Sequence, residues 1–369
     1  MIPRFEIDLS ASRGRQRRLL ERMAELKLDL AIVAQIEHIQ WLAGPRFDWK
    51  LQPLAALWAD GTMLVVAPSD SSELAATDEI LRYEAKWLST IRQDQRAAAA
   101  QVLLAALARR PAPRTVGVEF SSFPPCLAGG LNAKLVDIEP SLQRMRRRKD
   151  ADELARLKKA IATTGAMYAR AREIVAPGVN ELDVFNELQA VAVREFGEPL
   201  TGTGNDYASG VHGGPPRDRQ AEAGELYILD LGPAYRGYFA DNSRTFSVDG
   251  RPTGRQLQAN EHVRKAFVIV EREVRPGKRC RELFDEVREH LVQFPGGAWL
   301  AHLGHGIGLF PHEAPHLNPT WDDAFEFGDV IAVEPAIYAP DLRAGIRLEN
   351  NYLVTDRGVE LLSDFPFEL

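Results

Sequence analysis

Two stretches of this chain repeat one another, and that repeat limits what it can fold into. Val175-Ala176-Pro177-Gly178 leads to Val184-Phe185-Asn186-Glu187-Leu188, and Val274-Arg275-Pro276-Gly277 leads to Leu283-Phe284-Asp285-Glu286-Val287. Proline to phenylalanine is eight residues in both, and the copies lie 99 residues apart. Each reads as a helix, a tight Pro-Gly turn and a second helix. Chance likeness between two amphipathic helices is the bland alternative. Duplication is favoured because each unit is followed by strands and by its own pair of acids. The chain is therefore expected to contain a half-domain built twice.

The length, 369 residues, leaves room for another domain ahead of the repeat at about 150 residues per domain. Residues 1–140 alternate helical and strand patterns, the signature of an α/β domain. Ser10 or Ser12 can cap a helix carrying Leu19, Leu20, Met23 and Leu26, and Gln95–Arg109 is expected to be helical. Leu30–Ala34, Thr62–Val66, Val116–Glu119 and Leu135–Ile138 are expected strands. No acid or histidine cluster suited to chemistry appears in this half. Residues 141–150, within an arginine-rich stretch, are the expected linker, and 151–369 the duplicated α+β domain, opening with helices over about 151–175 and 180–196.

Hydrophobic residues make up 45% of the chain and charged residues 26%, a globular composition with ample material for cores. A net charge of -7 gives no global attraction to nucleic acid or acidic membranes. The basic runs Arg13–Arg18 and Arg144–Lys149 are read as solvated helix faces or linker. Cys126 and Cys280 are too few for a disulfide framework and lack metal-type spacing, so both are expected reduced. The first residues, MIPRFEIDLS, lack an apolar leader region. No stretch approaches the ~18 apolar residues of a membrane span, and a soluble, cytoplasmic protein is expected.

The chemistry lies in the duplicated part. Glu225–Gly232 and Tyr238–Phe246 are apolar-rich strands around a Gly-Pro-Ala-Tyr-Arg-Gly turn, which reads as a hairpin. A turn centred on Ala234–Gly237 would set Asp230 directly opposite Asp241, where two carboxylates repel unless a cation lies between them. Val330-Ile-Ala-Val-Glu334 is an apolar strand ending in an acid, costly to bury unless paired or coordinated. In Ile346-Arg347-Leu348-Glu349, Arg347 and Glu349 share one side, as strand residues two apart do. Between these pairs lies Leu303-Gly-His305-Gly-Ile-Gly-Leu-Phe-Pro-His312-Glu-Ala-Pro315. Its glycines allow close ligand approach, while Pro311 and Pro315 oppose the helix a dinucleotide fingerprint needs. Four carboxylates and one imidazole favour Mn²⁺, Co²⁺, Fe²⁺ or Zn²⁺ over Ca²⁺ or structural zinc. Five ligands suit two ions.

The order DLG, ADNSRT, GHGIG, VEP, RLEN resembles that of the "pita-bread" metallopeptidases, a family that includes prolidase, aminopeptidase P, methionine aminopeptidase and the metal-free creatinase. The likeness covers essentially the whole chain. It implies a creatinase-like α/β amino-terminal domain, then a pita-bread α+β catalytic domain with internal pseudo-two-fold duplication. It implies Asp230, Asp241, His305, Glu334 and Glu349 as metal ligands, Glu334 also as proton acceptor, and His212 and His312 on the substrate side. A metal-bridging hydroxide would attack the scissile carbonyl, with Arg347 supporting a ligand carboxylate from behind. Two departures stand out. Proline-specific members commonly carry a histidine four residues before the ligand histidine; here that place is Ala301, with His302 one residue later. The acid usual after the last ligand is Asn350.

The leading expectation is a Xaa-Pro peptidase of prolidase or aminopeptidase P type, a homodimer by family habit, with two Mn²⁺ or Co²⁺ ions and neither nucleic-acid nor membrane partners. A metal-dependent hydrolase of a small non-peptide amide or C–N bond stays open because of Ala301 and His302. A non-catalytic binding protein on the same fold would be marked by lost ligands, and none is lost.

Overall fold

A computed structural model describes residues 7–69, 74–204, 206–299 and 301–369; residues 1–6, part of the segment expected to lack an apolar leader region, lie outside them. The described residues fall into two compact units, one ending at residue 145 and the other spanning residues 146–369.

In the first unit, Leu9–Leu26 forms helix α1, followed by β1 (Leu30–Val33), α2 (Ile36–Ala43), β2 (Leu54–Trp58), β3 (Met63–Pro68), β4 (Glu79–Tyr83), α3 (Gln95–Leu107), β5 (Thr115–Val118) and β6 (Lys134–Asp137). One sheet orders them β4-β3-β2-β1-β5-β6, with β1, β5 and β6 parallel. Every residue of β1, β2 and β3 is buried, which is why these strands read as continuous apolar runs. The helix cap differs from expectation. Asp8, not Ser10 or Ser12, caps α1 by accepting the Ala11 amide at 2.9 Å, while Ser12 is buried inside the helix. A buried His38–Glu119 pair ties the β1–α2 turn down: Glu119 also accepts the amides of Ala34 (2.6 Å) and Gln35 (3.0 Å). With its oxygens so engaged, Glu119 is a tether.

Helix α4 (Glu139–Arg147) occupies most of the expected linker, and the boundary between units falls within it. Its basic run is only partly a solvated face: Arg144 and Arg148 are exposed, but Arg146, Arg147 and Lys149 are only 3%, 6% and 7% exposed. Each has a buried carboxylate partner, Glu313 for Arg146 and Lys149, and Asp329 for Arg147; charges this deep persist only when paired. Arg15, in the other basic run, is likewise buried. Cys126 is exposed and Cys280 buried, both free. Among the described residues no helix is long and apolar enough to cross a membrane.

The second unit is the duplicated one. Helices α5 (Ala151–Ile174) and α6 (Glu181–Phe196) precede β7 (Asp206–Ser209), β8 (Leu226–Leu231), β9 (Ala234–Tyr235), β10 (Tyr238–Phe239) and β11 (Asn242–Ser247). Helices α7 (Gly254–Glu273) and α8 (Cys280–Leu291) precede β12 (Gly304–Gly306), β13 (Glu313–Leu317), β14 (Val330–Val333), β15 (Ala336–Ala339), β16 (Ala344–Arg347) and β17 (Asn350–Val354). Both Pro-Gly glycines adopt φ +90, where a Cβ is unfavourable. Both donate across to the following strand region, Gly178 to the Ala221 carbonyl and Gly277 to that of Phe325, each at 2.8 Å. The repeated tetrapeptides thus make the same turn twice.

The hairpin register differs from expectation. Asp230 pairs with Ser243 and Ala234 with Phe239, because the turn falls on Arg236 (φ +50) and Gly237 (φ +89). Two successive positive φ values are what a two-residue type I′ turn requires. Asp241 therefore lies beyond the end of the β8–β11 ladder rather than opposite Asp230. The two halves join where the Glu349 amide donates to the Ser243 carbonyl at 2.9 Å and the Arg347 amide to Thr245 Oγ1 at 3.1 Å. That seam brings the acids of both halves together.

Candidate metal centre

A cleft of about 390 Å³ lies over the seam, lined among others by Asp230, Asp241, His302, His305, His312, Glu334 and Arg347. Ligand atoms of Asp230, Asp241 and Glu349 lie within 4.8 Å of one another, as do those of His305, Glu334 and Glu349 and those of Asp241, His305 and His312. The five expected ligands therefore converge, from β8, the turn before β11, β12, the end of β14 and the segment after β16. Asn205, part of the motif around His212, lies outside the described residues.

The orphaned carboxylate of Glu349 tests whether a metal fits. Glu349 is 1% exposed and neither of its oxygens has a hydrogen-bond partner. A buried carboxylate left this way costs several kcal/mol, in order of magnitude, unless a cation compensates it. His305 makes the same point from the nitrogen side. Its Nδ1 bonds the Gly306 carbonyl at 3.0 Å, and burial with His312 nearby lowers its pKa to about 4. At neutral pH the ring is uncharged with its proton on Nδ1, so Nε2 offers a lone pair. That lone pair lies 3.5 Å from Asp241 Oδ2 and 3.7 Å from Glu334 Oε1, too far for hydrogen bonds and suited to donors around a shared cation. The residues present fit a metal pair of the Mn²⁺, Co²⁺, Fe²⁺ or Zn²⁺ class.

The electrostatics agree. Burial, with Glu334 and Asp206 adding and Arg347 opposing, pushes the Asp230 carboxyl up to about 6. Burial and then neighbouring acids push Asp241 and Glu349 well above the usual range. Glu334 goes the other way: burial raises it, but the hydrogen bond from His302 Nε2 at 2.8 Å brings it below its ordinary value. A carboxyl whose folded pKa exceeds its unfolded value of about 4 carries no penalty below that pH and the full penalty above the folded pKa. Metal-free protein is therefore expected to lose stability as pH rises from about 4 past 6, while bound cations cancel the loss. The melting-temperature gap between Mn²⁺-loaded and metal-free protein should widen from pH 5 to pH 7.5; a gap independent of pH contradicts this account.

Arg347 holds the acids from behind. It donates to Asp230 at 2.7 Å, Asp206 at 2.6 Å, the Tyr338 hydroxyl at 2.8 Å and the His212 carbonyl at 2.9 Å. Asp206 and Tyr338 escaped sequence reading: an acid in a short strand and a tyrosine in an apolar one carry no spacing signal. His312 stacks on His305 with ring centroids 3.7 Å apart and lines the cleft. His302 reaches the cleft although it stands one place late. His212 does not join them: it is exposed, lies against Tyr338 with ring centroids 4.6 Å apart and planes tilted by 33°, and is absent from the lining.

Residues 155–356 match the profile of metallopeptidase family M24, and residues 15–148 that of the creatinase/prolidase N-terminal domain. An uncharacterised peptidase of Bacillus subtilis is 30% identical over 243 residues, 64% of this chain and 68% of the relative. One from Staphylococcus epidermidis is 31% identical over 235 residues, 62% of this chain; the match spans 66% of that relative, just under two thirds. The Xaa-Pro dipeptidase of Bacillus anthracis superposes with TM-score 0.82 at 22% identity, covering 97% of this chain and 99% of the other. The prolidase of Pyrococcus horikoshii gives 0.80 at 22% identity, covering 96% and 99%.

Proposed function

The chain belongs to metallopeptidase family M24, and from that membership we propose that it is a two-metal peptidase cleaving Xaa-Pro bonds in short peptides. The buried, unpartnered carboxylate of Glu349 at the centre of the acid cluster carries the metal part of this reading. The substrate part is supported by the names of proteins that share the fold, a Xaa-Pro dipeptidase and prolidases.

Asp230, Asp241, His305, Glu334 and Glu349 would hold the ions, which when bound supply Lewis acidity and an activated water. The chain's own groups do the rest. Glu334, whose pKa is raised by burial but held below its ordinary value by His302 at 2.8 Å, is ionised and is the proton acceptor for the attacking water. Arg347 keeps Asp230 ionised against the burial that would protonate it. His312 is exposed where it lines the cleft, partial desolvation lowers its pKa, and its neutral ring offers an N–H to the oxyanion that develops at the scissile carbonyl. Phe239 and Pro311 give the cleft apolar walls that suit a pyrrolidine ring. The reading also carries a cytoplasmic homodimer, and light scattering on the purified protein tests the assembly.

Hydrolysis of Ala-Pro by Mn²⁺-reconstituted protein tests the whole. Turnover is expected, with loss of at least a thousandfold in a chelator-stripped control, since metal activation supplies several kcal/mol and each ~1.4 kcal/mol is tenfold in rate. No turnover with two metals bound sinks the proline reading and favours a small amide or C–N substrate, with Ala301 and His302 the first positions to exchange.

A further inference from the structure

The loop between β12 and β13 carries Pro311 and His312 into the cleft, and its own sequence does little to hold it there. Gly306 and Gly308 contribute no side chain, and β12–β13 pairing slips its register between His305 and Gly306. Beneath the loop lies an ionic cluster outside the ligand set. Glu313 turns inward, its side chain 8% exposed. Its Oε1 accepts the Phe310 amide at 3.1 Å and the Arg146 guanidinium, and its Oε2 accepts Lys149 Nζ at 3.1 Å. Lys149 Nζ also donates to the Arg146 carbonyl at 2.8 Å. The Arg146 guanidinium lies over the Phe310 ring, 4.7 Å from its centroid. Gly308 makes room for this arrangement, because a Cβ there would come within 2.8 Å of Glu313 Oε1.

We propose that Glu313, clamped by Arg146 and Lys149, is a positioning residue that sets His312 and the adjoining wall of the cleft. The clamp grips both sides of the histidine. Glu313 is its chain neighbour, and Phe310, two residues before it, is held through its amide and its ring. The loop is also fastened to the opposite wall, since the Phe239 amide donates to the Gly308 carbonyl at 2.8 Å. A side chain with rotatable bonds stays on target only when its backbone is fixed to within fractions of an ångström, and a slip of about 1 Å can cost roughly a hundredfold in rate. Buried charges in the basic run, otherwise expensive, thereby acquire a use. What His312 does to a substrate rests on the peptidase reading; where the clamp holds it does not.

The test is a double-mutant cycle in the Mn²⁺-loaded full-length enzyme, read as kcat/KM on Ala-Pro. Glu313→Gln keeps size and the Phe310 contact but loses the charge the two cations grip. Lys149→Met removes one cation and serves if Glu313→Gln fails to fold. Either is expected to lower kcat/KM roughly ten- to a hundredfold while Mn²⁺ affinity stays within threefold, because no ligand is touched. The double variant Glu313→Gln/His312→Ala should then be no slower than His312→Ala alone, so that Glu313→Gln costs little once the histidine is gone. Losses that multiply, or Mn²⁺ affinity falling in parallel with activity, overturn the proposal. If wild-type protein does not cleave Ala-Pro, the peptidase reading fails and this one is read by NMR of the histidine rings in metal-free protein. The His312 resonance, identified by its loss in His312→Ala, should move in Glu313→Gln while those of His262 on α7 and His290 on α8, which stack on one another 4.1 Å apart, stay. An unmoved His312 ring overturns the proposal.

Discussion

Replacing Glu349 with glutamine is expected to stabilise the metal-free protein and at the same time disable it. The wild-type carboxylate is buried with no partner for either oxygen, and burial followed by the charges of Asp241 and Asp230 pushes its pKa far up. An amide of the same shape removes the charge and supplies a donor toward the neighbouring acids. Relief of about 1–3 kcal/mol follows from the cost of an unsatisfied buried group. In a unit of this size that is roughly 2–12 °C in melting temperature. With metal the sign reverses. Losing an anionic donor weakens the site, and turnover should fall about a thousandfold, the rate equivalent of several kcal/mol of metal-based stabilisation. Thermal melts of both proteins, with and without Mn²⁺, read both effects. A metal-free variant that melts below metal-free wild type contradicts the reading of Glu349 as an uncompensated charge.

The second large effect concerns Arg347. Its guanidinium satisfies two carboxylates, a hydroxyl and a carbonyl at once, and it is only 8% exposed. Removing one partner of a buried ionic network leaves the others uncompensated, at about 3–5 kcal/mol. Arg347→Met should therefore lower the melting temperature of metal-free protein by roughly 6–20 °C. The loss should be smaller with Mn²⁺ bound, because the ions then balance Asp230. Lysine cannot restore it, since a single ammonium cannot reproduce a planar fork reaching four acceptors. If Arg347→Lys melts within a degree or two of wild type, the fork geometry is not what holds the acids.

The duplication is legible in the sequence because its signature is local. Pro177-Gly178 and Pro276-Gly277 need a left-handed glycine wherever they occur, and helical periodicity needs no distant partner to be recognised. Asp230 and Glu334 stand out for a related reason: apolar strands ending in carboxylates announce that a charge will be buried and must be met, whereas the grouping of the acids with His305 into one ligand set is what the family resemblance implies. What remains hidden is how segments meet across the fold. The hairpin register turns on two backbone angles at Arg236 and Gly237, and a shift of the turn moves Asp241 from opposite Asp230 to beyond the ladder. The basic run at Arg146–Lys149 looks solvated because Glu313 and Asp329 lie more than 160 residues away along the chain. Asp206 and Tyr338 become part of the site only through Arg347, and His302 reaches Glu334 from a position one residue late. The sequence by itself determined the repeated Pro-Gly turns and the acids that apolar strands would carry inward, since those follow from local backbone and solvation energetics. Only the tertiary structure decided which buried groups face one another, because electrostatic partners are chosen by distance in space.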